Sequence, residues 1–258
     1  MYYHKILKHT GGAILSLLVI LLVWFTLSSS ARWPSNLFPS PSQVFKTLIH
    51  TISDGAIFGD VLDSAARAYA GILLGATGGL MLGLLTGSNN IASLIISPAL
   101  NFIRQLPPVA LIPLMIIWFG IDNAAKILTI ACTVALAVWI NTDAGVRRIP
   151  TSYNWLIQAK KHSAAAIIFR IKIPAAAPFI LTGLRNSAAI AFIMVFVSEL
   201  AGSASGIGYQ ISIAQLAYRV DLMIALLIIL ATLGWLTDVA LQITYYLICP
   251  WARSKNQI

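Results

Sequence analysis

Three charges stand apart from the others in this sequence: Arg104, Arg185 and Glu199, each inside or at the end of a long apolar run. A charge at membrane depth is expensive and by default marks a functional site. Arg104 opens the stretch Arg104-Gln105-Leu106-Pro107-Pro108, which interrupts an apolar segment. It is a candidate to attract an anion; the alternative is that it pairs with carbonyls that the prolines free. Arg185 is either functional or reaches the interface by snorkelling, which costs less. Glu199 would repel an anion, so it suits pinning an outer gate better than binding. The candidates for a solute pathway are thus Arg104, Pro107, Pro108 and Glu199. Paired acids, HExxH and Ser/His arrangements are absent, which argues against intramembrane catalysis. GxxxxGK[ST] is absent too, so the chain is not itself an ATPase. Cys132 and Cys249 have no CxxC or zinc-type neighbour, and His4, His9, His50 and His162 form no ligand pair, so no metal or bound cofactor is expected.

The elements that must position these charges are membrane helices. The chain has 258 residues, 59% hydrophobic and 10% charged, with mean hydropathy +0.85; a soluble domain carries about a quarter charged residues. The net charge of +9 is placed by topology rather than for nucleic acid. We expect an all-α polytopic protein with six transmembrane helices. Residues 1–29 form an N-terminal span that is retained rather than cleaved. Residues 30–58 form an outer, periplasmic connection in which a Ser-Pro-Ser signal starts a short amphipathic helix. Residues 59–245 are the core, with spans at about 65–86, 91–119, 124–141, 175–198 and 222–241, and 246–258 are a tail. The segment 91–119 is too long for one straight span: 29 residues reach ~43 Å against a hydrocarbon core of ~30 Å. The region 200–221 reads as an outer loop plus a short helix. Gly71, Gly75, Gly79, Gly83 and Gly87 recur every four residues and make one smooth face for close helix packing. Trp24, Trp118, Trp139 and Trp235 fall near span ends and read mostly as interfacial anchors.

Residues 142–173 are the long basic loop. Arg147, Arg148, Lys160, Lys161, Arg170 and Lys172 lie there, which makes it cytoplasmic by the positive-inside rule, with both termini on the same side. Trp155, Leu156, Ala159, Ala166, Ile167 and Phe169 recur at helical spacing between basic residues. That pattern describes an amphipathic helix for a partner to grip, or one lying on anionic lipid.

Several ordered blocks carry a resemblance. They are FPSPSQVF from Phe38, RQLPPVALIPLMIIWFGI over 104–121, NTDAGVRRIP over 141–150, PAAAPFILTGLR over 174–185 and SELAGSASGIGY over 198–209. Together they resemble the permease subunits of bacterial binding-protein-dependent ABC importers, in the nitrate/sulfonate/taurine/bicarbonate branch. That family's cytoplasmic loop reads Glu-Ala-Ala, three residues, Gly, nine residues, Ile-x-Leu-Pro. Ile171-Lys172-Ile173-Pro174 matches its second half, whereas Trp155, Leu156 and Ile157 stand at Glu-Ala-Ala and Lys161 at the glycine. The resemblance implies the type I permease fold in the bacterial inner membrane. Its implied partners are a cytoplasmic ABC ATPase dimer holding ATP and Mg, a second permease (identical or a paralogue), and a periplasmic or lipid-anchored substrate-binding protein. It also implies that the helix around Trp155 to Ala166 is the coupling helix, and that a small anionic, sulfonate-, nitrate- or taurine-like solute crosses by alternating access. The altered loop fits a co-diverged ATPase, a paralogue with the intact motif, or a decayed copy. The rival classes are an ATPase-independent secondary transporter and a non-transporting membrane scaffold or regulator.

Overall fold

The computed structural model describes residues 16, 18–30, 34, 37–150 and 164–250. Among these every regular element is a helix. α1 is Leu18–Ser29, α2 Pro41–Ser53, α3 Phe58–Ser88, α4 Asn90–Ile103, α5 Leu111–Phe119, α6 Asn123–Arg147, α7 Ile173–Gly202, α8 Ile207–Leu216 and α9 Val220–Ile248. A 3-10 turn at Pro108–Ala110 precedes α5, and a helical turn Ala164–Ile167 followed by a π turn Ile168–Lys172 runs into α7. Four helices are long and apolar enough to cross a membrane: α3, α6, α9, and α7 with its π turn. The bent pair α4 and Pro108–Phe119 adds a fifth if counted as one span, and α1 is a shorter apolar helix.

α3 lies along α6, and α6 along α7. The glycine series explains the first contact. A Cβ on Gly71 would come within 2.5 Å of Ile130 Cγ2, and one on Gly87 within 2.8 Å of Val146 Cβ. On Gly75 and Gly79 it would strike the carbonyl oxygens of Ala131 and Ala135, and on Gly83 the Cβ of Thr142. Gly78, off this face, meets nothing within 4 Å. Every fourth residue lacking a side chain lets two backbones approach, and dispersion along the seam holds them. The main core then fills around Ala68, Ile130, Val134, Val138, Val195, Ile207 and Leu226, from α3, α6, α7, α8 and α9.

Several boundaries differ from the sequence expectation, each for a local reason. α3 begins at Phe58 rather than near 65, because Asp60 in its first turn finds protein partners in Gly206 N–H and Gln210 Nε2. α6 continues to Arg147, six residues beyond 141, because its last turn is tied back to α3. Pro174 does not end a loop: helical structure runs through it from Ala164. The π turn has Ile173 N–H donating to the Ile168 carbonyl. This widening sits where the ring of Pro174 would press on the carbonyl four residues back. α9 runs to Ile248 rather than 241. Trp139 is no interfacial anchor: it is 2% exposed and donates Nε1–H to Thr86 Oγ1 at 3.0 Å. α2 starts where expected, with Ser40 Oγ accepting from Gln43 N–H at 3.3 Å.

Candidate functional site

The interruption between α4 and α5 is a sharp bend of 85°. Pro98 already lies inside α4, and Pro107, Pro108 and Pro113 follow, so the segment 104–110 cannot complete its backbone ladder. Beside the bend is a cavity of about 340 Å³ lined by Arg104, Pro108, Thr133, Asn141, Asn186 and apolar residues including Leu111 and Ile190. Arg104 is the only charged residue in this lining. It is exposed, and among the described residues no hydrogen bond or salt bridge engages its guanidinium. The alternative of pairing with freed carbonyls is therefore not what the fold shows. Pro107 lies in the bend itself, capping the 3-10 turn. Thr133 Oγ1 and Asn141 Nδ2 already donate to the Thr129 and Ala137 carbonyls, so Arg104 and Asn186 are the donors with no described partner on an otherwise aliphatic wall. That suits a small anionic head group with an apolar body.

Glu199 sits elsewhere, near the end of α7, and does not line this cavity. It is 1% exposed and fully engaged. Arg67 Nη1 donates to Oε1 at 2.6 Å, Ser64 Oγ lies 2.8 Å from both oxygens, and Gly208 N–H donates to Oε2 at 2.9 Å. Arg67 is itself saturated by the Ser205 carbonyl and Oγ and by Asn123 Oδ1. Asp60 accepts from Gly206 N–H and Gln210 Nε2, and Ser64 Oγ accepts from Ile207 N–H. The start of α8 thus hangs on carboxylates and a hydroxyl from α3 and α7. Gly206 is required twice here: its φ is +110°, and a Cβ would lie 2.5 Å from the Glu199 carboxyl carbon. The sequence drew attention to Glu199 but not to its partner. Arg67, four residues after Asp63 and so one helical turn from a carboxylate, is the available signal.

Arg185 has a partner within the protein. Its Nε and Nη2 donate to the two carboxylate oxygens of Asp238, each at 2.9 Å, so a bidentate pair ties α7 to α9. At the other end of the molecule from Glu199, where α6 ends, a second polar cluster forms. Arg147 Nε donates to Asp143 Oδ2 at 2.8 Å, and its Nη2 to the Thr86 carbonyl at 2.9 Å and Ser93 Oγ at 2.6 Å. Thr86 Oγ1 donates to Asp143 Oδ1 at 2.6 Å. Arg148 places its guanidinium 5.3 Å from the centre of the Phe179 ring on α7. Of the coupling residues expected from the loop, Trp155, Leu156, Ile157 and Lys161 lie outside the described residues. Ile171, Ile173 and Pro174 lie in the π turn and the first turn of α7.

A larger cavity, of about 530 Å³, lies between α2, α8 and α9 at the Glu199 end. Its lining mixes Lys46, His50 and Arg219 with Asp54 and Asp60, and the carboxylates are already taken by His50 and by the start of α8. It selects no single charge.

Comparison with known proteins agrees with this architecture. Residues 75–251 match the family described as binding-protein-dependent transport system inner membrane component. A Bacillus subtilis (strain 168) protein provisionally named aliphatic sulfonates transport permease protein SsuC is 34% identical over 236 residues, covering 92% of this chain and 86% of the relative. The Escherichia coli (strain K12) taurine transport system permease protein TauC is 27% identical over 242 residues, covering 92% and 88%. Among solved structures, an inward-facing form of the MetNI methionine ABC transporter superposes with a TM-score of 0.65 at 18% identity, covering 74% of this chain and 95% of the other. At that identity the likeness speaks for the fold alone.

Proposed function

The chain belongs to the family of binding-protein-dependent transport system inner membrane components, and from that premise we propose that it carries a small organic sulfonate into the cell. It is a permease subunit of an ABC importer, a multi-pass inner-membrane protein and not an enzyme. In our reading residues 59–245 form the permease core, and the end of the molecule around 148–163 faces the cytoplasm. There an ATPase dimer binding ATP and Mg grips the segment containing Trp155, Leu156, Ile157 and Lys161. A second permease and a substrate-binding protein complete the importer, and alternating access moves the solute.

The observation that carries the choice of solute is Arg104. Among the described residues its guanidinium has no partner, and it is the only charge lining a cavity whose other polar groups are neutral. A sulfonate oxygen triad accepts from such a fork, and an aliphatic tail fits the Leu111 and Ile190 side. The names of the sulfonate and taurine relatives point the same way.

Two measurements test this. Tagged protein purified from native membranes should bring an ABC ATPase with it; a folded preparation that never does so overturns the importer reading. The reconstituted assembly should then take up a radiolabelled alkanesulfonate only with ATP, and Arg104→Ala should abolish uptake while ATP hydrolysis and assembly persist. Unchanged uptake by Arg104→Ala removes the anion-binding role.

A further inference from the structure

α4 is the least anchored long element of the core. None of its residues is buried, and α3 is its one substantial packing partner among the described residues. Its start is capped by Asn89, whose Oδ1 accepts from Ile91 and Ala92 N–H. Beyond that hairpin, one hydrogen bond among the described residues reaches α4 from another helix: Arg147 Nη2–H to Ser93 Oγ at 2.6 Å. Ser93 Oγ in turn lies 3.2 Å from Ser97 Oγ, one turn further along α4, immediately before Pro98. The far end of α4 is Ile103, next to Arg104 and the bend. Arg147 itself ends α6, and the chain leaves it for the basic segment that begins at Arg148.

We propose that Arg147 is a positioning residue that makes α4, and with it the Arg104 bend, follow the root of the basic loop. The proposal rests on the importer reading above, and it names where motion from the loop enters the solute pathway. The guanidinium is suited to the task because one fixed fork serves three elements. Its Nε is held by Asp143 on α6, and its Nη2 spans the Thr86 carbonyl on α3 and the Ser93 hydroxyl on α4. Asp143 is fixed in turn by the Thr86 hydroxyl, which also receives the Trp139 indole N–H, so the base of the tether is rigid. The α3–α6 seam beside it is locked by the glycine face and cannot yield. A displacement of the loop root is thereby passed to α4, which has no buried side chain to resist it. Its neighbour Arg148 turns the other way, onto Phe179 of α7, so the two arginines at the loop root engage opposite sides of the core.

The test uses the whole transporter with its ATPase in proteoliposomes, and the readout is labelled alkanesulfonate taken up per ATP hydrolysed. A merely structural defect lowers the amount of active complex and leaves this ratio unchanged. Ser93→Ala removes the acceptor on α4 without touching the α3–α6 seam, and Arg147→Ala removes the donor. Ser93→Ala should lower the ratio about tenfold, the worth of one hydrogen bond to a charged group, and Arg147→Ala, which also loses its bonds to Asp143 and Thr86, by at least as much, while Ser93→Thr, which keeps the hydroxyl, preserves it. Ser93→Ala with a wild-type ratio overturns the tether, including the case in which Arg147→Ala does not fold. Wild-type protein showing no ATP-driven uptake of the alkanesulfonate overturns the sulfonate reading instead, so the two failures are separable.

Discussion

Arg67, in the third turn of α3, and Arg104, at the end of α4, are both arginines on apolar helices, yet their surroundings are opposite. Arg67 is 5% exposed, pairs with Glu199, and gives its remaining N–H groups to Asn123 and Ser205. Arg104 is exposed at a cavity and engages no described partner. A buried ion is tolerated only when its lone pairs and protons are matched, and once matched it fixes geometry and has nothing left to offer a ligand. An ion left unmatched on a cavity wall contributes little to the fold and keeps its field for a solute. The first arginine closes one end of the bundle by holding α8 to α3 and α7. The second is available.

The comparison breaks most easily at Glu199. Glu199→Ala leaves Arg67 buried without its counter-ion, and the expected loss is about 3–5 kcal/mol, the usual cost of orphaning a buried charge. Thermal unfolding in detergent should fall steeply, or the protein should fail to accumulate; an unchanged melting temperature would mean the pair is not a structural lock. Gly79→Leu comes next. Its side chain has to displace the Ala135 carbonyl and Val138 across the seam, at about 1–3 kcal/mol for overpacking, whereas Gly78→Leu, facing open space, should leave the melting temperature unmoved. Equal effects at the two positions would refute the seam. Arg185→Ala should also lower the melting temperature, because it leaves the Asp238 carboxylate without its bidentate partner inside a long apolar helix.

What the sequence made legible follows from which interactions are local. The four-residue glycine spacing, the Ser40 cap and the proline break are written in consecutive residues, and each corresponds to a feature of the fold. The family resemblance spans ordered blocks, and the match over 75–251 agrees with it. The pairings across the chain were not legible. Arg67 meets Glu199 132 residues away, Arg185 meets Asp238 53 away, and Arg147 meets Ser93 54 away. No periodicity encodes these; they appear only when helices pack. For that reason the sequence leaves function and snorkelling both open for Arg185, since one helix considered alone shows no carboxylate beside it. Trp139 was misplaced in the same way: its position along the helix suggested an interface, but the bare glycine face opposite lets it sink beside Thr86.

Arg104→Ala is the smallest change in stability and the sharpest test of the contrast. The side chain is exposed, fills no core space and loses no described hydrogen bond, so the expected shift is within about 0.5 kcal/mol, as for surface substitutions generally. The same substitution should abolish sulfonate uptake. Lysine at this position keeps the charge but replaces a planar fork with a single point donor, so Arg104→Lys should retain uptake at a higher apparent KM. Arg67→Lys, by contrast, should not be tolerated, because one ammonium cannot reach Asn123, Glu199 and Ser205 together. If lysine served equally well at both sites, charge alone would account for both arginines. If it is accepted only at 104, the difference lies in how many partners each guanidinium must hold at once. That number is four acceptor atoms inside the protein for one, and for the other none among the described residues.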